Sequence, residues 1–142
     1  MSFQEKSTWL QGVATIVVWV AYAGSILGQV RSRPVAEIDY QGQMLATIGI
    51  AIGLLIVAHI AIAISAPKEA DKTDQRDTDI NRFGEYIGSF VLWFGALGVL
   101  AMALAELEHF WIANAIFTVF MLAALTGSAV KLIAYRRGFP AW

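Results

Sequence analysis

The chain contains only two histidines, and the first of them lies inside a long apolar stretch. Three hydroxyl side chains fall at a depth comparable to that of His59 in the other apolar stretches: Thr15, Ser89 and Ser128. Ionisable groups inside a membrane often relay protons or bind ligands, so these four residues are a candidate intramembrane polar site. A histidine held by a hydroxyl or a carbonyl is the simpler structural interpretation. Haem ligation is a third alternative, with His109 at the opposite face as the second ligand.

The second histidine belongs to a short polar turn, where Glu106, Glu108 and His109 form a candidate outer site. Together with Glu37 or Asp39 they would offer oxygen and nitrogen ligands for zinc, or groups that carry protons. Zinc needs three or four ligands held together, and carboxylates two positions apart on a helix diverge. A solvated turn is the alternative.

A charged loop over residues 66–83 contains three carboxylates at three-residue spacing: Asp71, Asp74 and Asp77. On a helix they would share one face, and hard divalent cations favour carboxylate oxygens. Lys72 and Arg76 are interleaved with them and would repel a cation. A solvated, salt-bridged extension of the third apolar helix is the alternative interpretation.

Motifs of known enzyme classes are missing from the sequence. It has no Gly-rich phosphate loop, no G-x-S-x-G elbow, no H-E-x-x-H pair and no cysteine. We therefore predict no catalytic residue, no resident metal and no cofactor.

The composition decides which class of protein must position these polar groups. Of 142 residues, 58% are hydrophobic and 15% are charged, with a mean hydropathy of +0.62. A small soluble domain cannot bury so much apolar surface. The net charge of −1 provides no basic field for nucleic acid. An integral membrane protein is the class that fits.

Four stretches are apolar and about 20 residues long, the length that crosses a bilayer as a helix. We predict an all-α membrane protein, a single domain over residues 1–142, with four transmembrane helices in an antiparallel bundle. The predicted spans are residues 9–30, 44–65, 84–106 and 111–135. The first apolar stretch is too long for a signal peptide and no A-x-A cleavage site follows it, so it is expected to be retained.

Basic residues predict the orientation of the bundle. One side carries eight of them: Lys6, Lys68, Lys72, Arg76, Arg82, Lys131, Arg136 and Arg137. The other side carries two, Arg31 and Arg33. Since cytoplasmic loops carry the excess of Lys and Arg, both termini and the loop over 66–83 are expected in the cytoplasm.

Glycine spacing predicts how the helices pack, because membrane helices associate where small residues let their backbones approach. At about 100° per residue, one stripe on the third span combines Val91, Met102 and Glu106 with four glycines: Gly84, Gly88, Gly95 and Gly98. We interpret it as a seam for a neighbouring helix, and the alternative is a pore-lining groove that leads to Glu106. In the first hairpin, Gly24 is expected opposite Gly49.

The last two spans are joined by a short turn, which fixes their register. Glu85 is then level with Lys131 at the cytoplasmic boundary. Charges within a membrane usually pair or face the bundle interior, so we predict an ion pair between these two side chains.

Several segments resemble a family of small proteobacterial four-helix membrane proteins of unassigned function. They are MSFQEKS at 1–7, HIAI at 59–62, PKEA at 67–70, D-x-RD at 74–77, FWIAN at 110–114 and YRRGF at 135–139. This sequence has Gln75 where the family more often has a glutamate. The resemblance implies a bacterial inner membrane and no known catalytic residue.

The sequence favours a structural or regulatory membrane subunit that binds a partner. The expected partners are the lipid bilayer and either a second copy of the chain or a larger membrane protein. The first alternative is an oligomeric proton- or ion-linked transporter or channel that uses His59 and Glu106. The second is a metal- or haem-binding membrane protein.

Overall fold

A computed structural model describes residues 3–65 and 74–138, and these residues form four long helices and no strand. The helices are α1 (Phe3–Val30), α2 (Tyr40–Ser65), α3 (Gln75–Leu104) and α4 (His109–Arg137). A short 3-10 helix, Val35–Glu37, lies between α1 and α2. All four long helices are sufficiently apolar to cross a membrane. The chain is thus a multi-pass membrane protein, and the predicted all-α four-helix bundle is confirmed.

Two helices extend beyond their predicted spans at the charged end. α1 begins at Phe3, and α3 begins at Gln75 after Asp74, whose backbone is extended (φ −76°, ψ 152°). Residues 75–83 are therefore the first part of α3, in agreement with the interpretation of this segment as a helical extension. Helices can continue past the apolar core because polar side chains there reach water or lipid headgroups.

The helices pack in the order α2, α1, α4, α3, so α2 and α3 lie at the two edges. Within the described ranges, α2 and α3 share no extensive contact. The N-terminus of α1 and the C-terminus of α4 lie at one end of the bundle, where Arg136 Cζ is 5.4 Å from the centre of the Trp9 ring. We call this the terminal end; the opposite end, with the connections over 31–39 and 105–108, is the turn end.

A glycine seam joins α3 to α4. A Cβ atom on Gly88 would come within 2.9 Å of the Ala123 carbonyl oxygen and 3.6 Å of Gly127 Cα, so the two backbones are in contact. A Cβ on Gly84 would lie 2.8 Å from Gly127 O, and a Cβ on Gly95 would overlap the Val119 side chain.

The seam is shorter than the sequence predicts. A Cβ on Gly98 would meet no atom within 4 Å, and this residue is exposed. Glu106 does not continue the stripe, because α3 ends at Leu104. Helix packing therefore covers only the part of the stripe from Gly84 to Gly95.

The α1–α2 hairpin does not use the predicted glycines. Nothing lies within 4 Å of a Cβ on Gly24 or Gly49. The contact instead combines apolar packing of Met44 and Ile48 against the buried cluster with polar pairs. Gln29 Nε2 donates to Gln43 Oε1 at 2.9 Å, and the Gln43 amide donates to Ser25 Oγ. Amides inside a membrane need hydrogen-bond partners, and these side chains set the register in place of the glycines.

Aromatic packing joins α1 to α4 near the turn end. Tyr22 donates a hydrogen bond to Asn114 Oδ1 at 2.8 Å, and its ring meets Phe117 edge-to-face with centroids 4.9 Å apart. Ile38, from the connection between α1 and α2, is buried in the same cluster. This cluster closes the turn end of the bundle.

We predict that Gly88→Ala lowers the free energy of unfolding in detergent by about 1–3 kcal/mol, because the added methyl collides with backbone that cannot move cheaply. Gly98→Ala is the matched control. It adds the same methyl in open space, and better helix propensity should raise stability by up to about 1 kcal/mol. Equal thermal stability of the two variants would show that the seam is not a close backbone contact.

Candidate functional site

A cavity of about 240 Å³ lies between α1, α3 and α4 near the terminal end. The seam residues Gly84, Gly88 and Gly127 form part of its lining. Leu92, Ala123 and Ala124 form its apolar wall. Five polar side chains complete the lining: Gln11, Glu85, Ser89, Ser128 and Lys131. The cavity brings together two of the four predicted intramembrane polar residues, Ser89 and Ser128.

Lys131 and Glu85 meet at this cavity, at the level where the hairpin register places them. Lys131 Nζ lies 3.4 Å from Glu85 Oε1, and this is longer than a strong charge-assisted hydrogen bond. The Lys131 side chain is 10% exposed, whereas that of Glu85 is 76% exposed. The lysine side chain is therefore mostly enclosed by the protein, whereas the carboxylate lies mostly at the surface.

The methylene groups of Lys131 lie against α3. A Cβ on Gly84 would be 2.8 Å from Lys131 Cε, so the lysine side chain covers the glycine backbone. Lysine commonly buries its stem in this way and extends its ammonium toward the headgroups. The seam thus determines where the positive charge emerges.

Ser128 contributes a hydroxyl that has no protein partner. The residue is 5% exposed, and in the part of the chain that the structure describes no hydrogen bond joins its Oγ to another residue. The Gln11 amide likewise makes no side-chain hydrogen bond within these ranges. Ser89 differs, because its Oγ donates to Tyr86 O at 2.7 Å. Within the described ranges no fully buried side-chain N or O atom lacks a partner, so the Ser128 hydroxyl reaches accessible surface at the cavity and is open to a further hydrogen bond there.

His59 does not join this group. It lies on α2, where Nδ1 is 2.7 Å from Leu55 O and Nε2 is 2.7 Å from Ser7 Oγ on α1. A carbonyl can only accept, so Nδ1 donates to Leu55, and both ring nitrogens are satisfied. α2 packs on α1 and cannot bring His59 to the α3–α4 contact.

Thr15 also lies elsewhere. Its Oγ1 donates to Gln11 O at 2.8 Å, and the residue lines an apolar cleft of about 220 Å³ between α1, α2 and α4. The layer of His59, Thr15, Ser89 and Ser128 that equal depth suggests is therefore not assembled. Of these four residues, Ser89 and Ser128 share the cavity beside Lys131, whereas Thr15 lines the apolar cleft. Depth along the membrane normal does not determine which faces of the helices meet.

The candidate outer site is divided by the turn between α3 and α4. Glu106 has φ 54°, the left-handed conformation that usually requires glycine. Glu106 N donates to Ala103 O and Leu107 N donates to Met102 O, at 3.1 and 3.2 Å, which is a Schellman motif. The carboxylate of Glu106 is exposed and lies beyond the helix rather than on its stripe.

Glu108 and His109 line a separate cavity of about 450 Å³ with Asp39, Tyr40 and Phe110. Glu37 and Glu106 are not part of that lining. Over residues 3–65 and 74–138, no group of three or more His, Asp or Glu side chains is placed to hold a metal ion. The zinc interpretation of the candidate outer site therefore has no assembled ligand set among these residues.

The loop carboxylates are also separated. Asp77 is buried in the first turn of α3, and Asp74 is exposed before it. Asp71 lies outside the described residues. The two described carboxylates form no cation site by themselves.

Sequence reasoning missed two polar contacts between helices. One is the Tyr22–Asn114 hydrogen bond, and the other is the cluster of Ser25, Gln29 and Gln43. The signal was present, because amide side chains inside apolar spans need partners and often bond across helices. Attention to ionisable groups alone overlooks them.

Comparison with known proteins gives this chain no relative: no family model, no curated protein and no solved structure matches it. The resemblance to small proteobacterial membrane proteins thus depends on the quoted segments alone and stays a prediction.

We predict that the stem of Lys131 matters more for folding than its charge. Lys131→Ala should lower the free energy of unfolding by about 2 kcal/mol or more, since it removes the methylene groups that cover Gly84. Lys131→Met keeps those groups and should cost less. Glu85→Gln should lower the free energy of unfolding by about 0–1 kcal/mol, because the carboxylate is mostly exposed. Thermal unfolding in detergent measures the stability of all three variants. If Glu85→Gln lowers stability as much as Lys131→Ala does, the ion pair contributes more to folding than the lysine stem.

Proposed function

We propose that this protein is a structural or regulatory membrane subunit whose α2 edge packs against a helix of another chain. One face of α2 supports the proposal most directly. Four small residues lie within an arc of about 60° on the helical wheel and are all exposed: Gly42, Ala46, Gly49 and Gly53. A Cβ on Gly49 or Gly53 would meet nothing within 4 Å, so this face is turned away from α1.

This stripe has the features of a helix contact but no helix of the described chain covers it. Small residues at four-residue spacing let two membrane helices approach closely, as Gly84, Gly88 and Gly127 do in the α3–α4 seam. On α1, Gly24 and Gly28 are also exposed with no atom within 4 Å. Two adjacent helices thus present open small-residue surfaces.

A second copy of the chain is the partner that fits this surface best. A small-residue stripe is self-complementary, and most oligomers use such two-fold contacts. A larger membrane protein with a similar stripe is the other proposed partner, within the surrounding bilayer. Nucleic acid is not proposed, since the net charge is −1.

The proposed location is a bacterial inner membrane with both termini in the cytoplasm. The membrane type follows from the resemblance, and the orientation follows from eight basic residues on one side against two on the other. The structure supports the second inference to this extent: the N-terminus of α1 and the C-terminus of α4 lie at the same end.

The transporter hypothesis receives no comparable support. His59 lies near the terminal end of α2, Glu106 lies at the turn end, and neither lines the cavities described above. Metal binding lacks a ligand set in the described residues. Both alternatives stay predictions.

We predict that combining Gly49→Leu and Gly53→Leu abolishes self-association or partner binding without unfolding the monomer, because the leucines point away from the bundle. Native mass spectrometry of protein released from its own membranes measures the assembly. Gly98→Leu is the matched control, since that glycine is equally open on α3. An unchanged assembly mass in the double variant, or equal loss in the control, would contradict the proposal.

The orientation has its own test. A reporter active only in the cytoplasm, fused after the last residue, should give signal, and a periplasm-active reporter inserted within residues 35–39 should also give signal. The excess of basic residues at the terminal end is the reason. A silent C-terminal fusion together with an active periplasmic fusion at the same site would reverse the orientation.

A further inference from the structure

We propose that the cavity between α1, α3 and α4 binds the headgroup of a zwitterionic aminophospholipid, such as phosphatidylethanolamine. This inference does not depend on the small-residue stripe of α2 (Gly42, Ala46, Gly49 and Gly53), which lies on another face of the bundle. The cavity of about 240 Å³ accommodates a headgroup but not a whole lipid.

The charges of the cavity match such a headgroup in kind and in position. Lys131 provides an ammonium on a mostly buried side chain, and Glu85 provides a mostly exposed carboxylate at the cavity wall. A phosphate alone would bind the Lys131 ammonium, but the Glu85 carboxylate would repel it, so a purely anionic ligand matches only one of the two charges. In phosphatidylethanolamine, two methylene groups separate the phosphate from an ammonium. The phosphate then accepts from Lys131 and the ammonium donates to Glu85.

Ser128 is the observation that indicates a ligand rather than an internal ion pair. The residue is only 5% exposed, yet its hydroxyl has no hydrogen-bond partner among the described residues and keeps accessible surface, so it is open to a ligand in the cavity that it lines. The unpartnered Gln11 amide lines the same space. Both groups donate to phosphate oxygens in the proposed complex, and this satisfies groups that the protein alone leaves unused.

The surroundings favour a lipid over a soluble phosphate compound. Gln11 and Ala124 line both this cavity and the apolar cleft of about 220 Å³ between α1, α2 and α4. A headgroup in the cavity therefore has an apolar surface beside it for an acyl chain. Basic pockets between membrane helices are known sites of headgroup recognition, and Lys131 supplies the basic group here.

The test is a competition among lipids. The purified protein in detergent is mixed with equal amounts of phosphatidylethanolamine, phosphatidylcholine and phosphatidylglycerol, and the retained lipid is identified by native mass spectrometry. Phosphatidylethanolamine should be favoured about tenfold, since choline cannot donate to Glu85 and glycerol carries no positive charge. Equal retention of the three lipids, or preference for phosphatidylglycerol, would overturn the proposal.

Variants identify the groups involved. Glu85→Gln should remove the preference for phosphatidylethanolamine over phosphatidylglycerol, and it should fold because the side chain is 76% exposed. Ser128→Ala and Lys131→Met should lower retention of both lipids. Arg137→Met removes an exposed cation of α4 that does not line the cavity, so it should change nothing. Unchanged selectivity in Glu85→Gln would refute the assigned role of the carboxylate.

Two further experiments distinguish lipid binding from binding of the free headgroup, and lipid binding from partner binding. Soluble phosphoethanolamine at the same concentration should not displace the lipid; displacement would show that the site binds the headgroup alone. The Gly49→Leu and Gly53→Leu double variant should keep its lipid selectivity whether or not it assembles. Failure of the lipid proposal and failure of the proposed partner binding are therefore distinguishable.

Discussion

The close backbone contact between α3 and α4 determines both the fold of this hairpin and its chemistry. Lipid provides no hydrophobic drive between membrane helices, so van der Waals contact must hold them together. At Gly88 and Gly127 there is no side chain between the two backbones. The stem of Lys131 lies over Gly84, and its ammonium emerges beside the resulting cavity. The glycines that permit the seam also line the cavity in which we place the proposed ligand.

The three helix contacts rely on different physical interactions, and they have different strengths. The α3–α4 contact is a backbone seam, and α1 meets α4 through Tyr22, Asn114 and Phe117. α2 is held to α1 through side-chain hydrogen bonds at the two ends of the hairpin, at Gln43 and at His59. Hydrogen bonds between membrane helices contribute only about 0.6–2 kcal/mol each. α2 is consequently the helix with most of its surface left for lipid or for another chain.

The sequence predicts those features that depend only on the depth of a residue in the membrane, such as span length and helix register. Span length and composition give four helices, and a short turn gives the register that places Lys131 beside Glu85. The helix faces that meet depend on the order of the helices in the bundle and on the rotation of each helix about its axis. The depth of a residue in the membrane determines neither of these. His59 therefore does not reach Ser128. Glu106 left the predicted stripe because a left-handed residue ends the helix, and a glutamate at that position gives no sequence signal.

Glycine stripes also need three-dimensional context before they indicate a contact. Gly98 shares a helical face with Gly84, yet only Gly84 is covered. An uncovered glycine within a helix costs about 1 kcal/mol relative to alanine and gains no packing in return. α2 carries that cost at Gly49 and Gly53, and both lie on the face turned away from α1. Contact with another chain would offset it there, in the same way that Gly127 offsets it for Gly88.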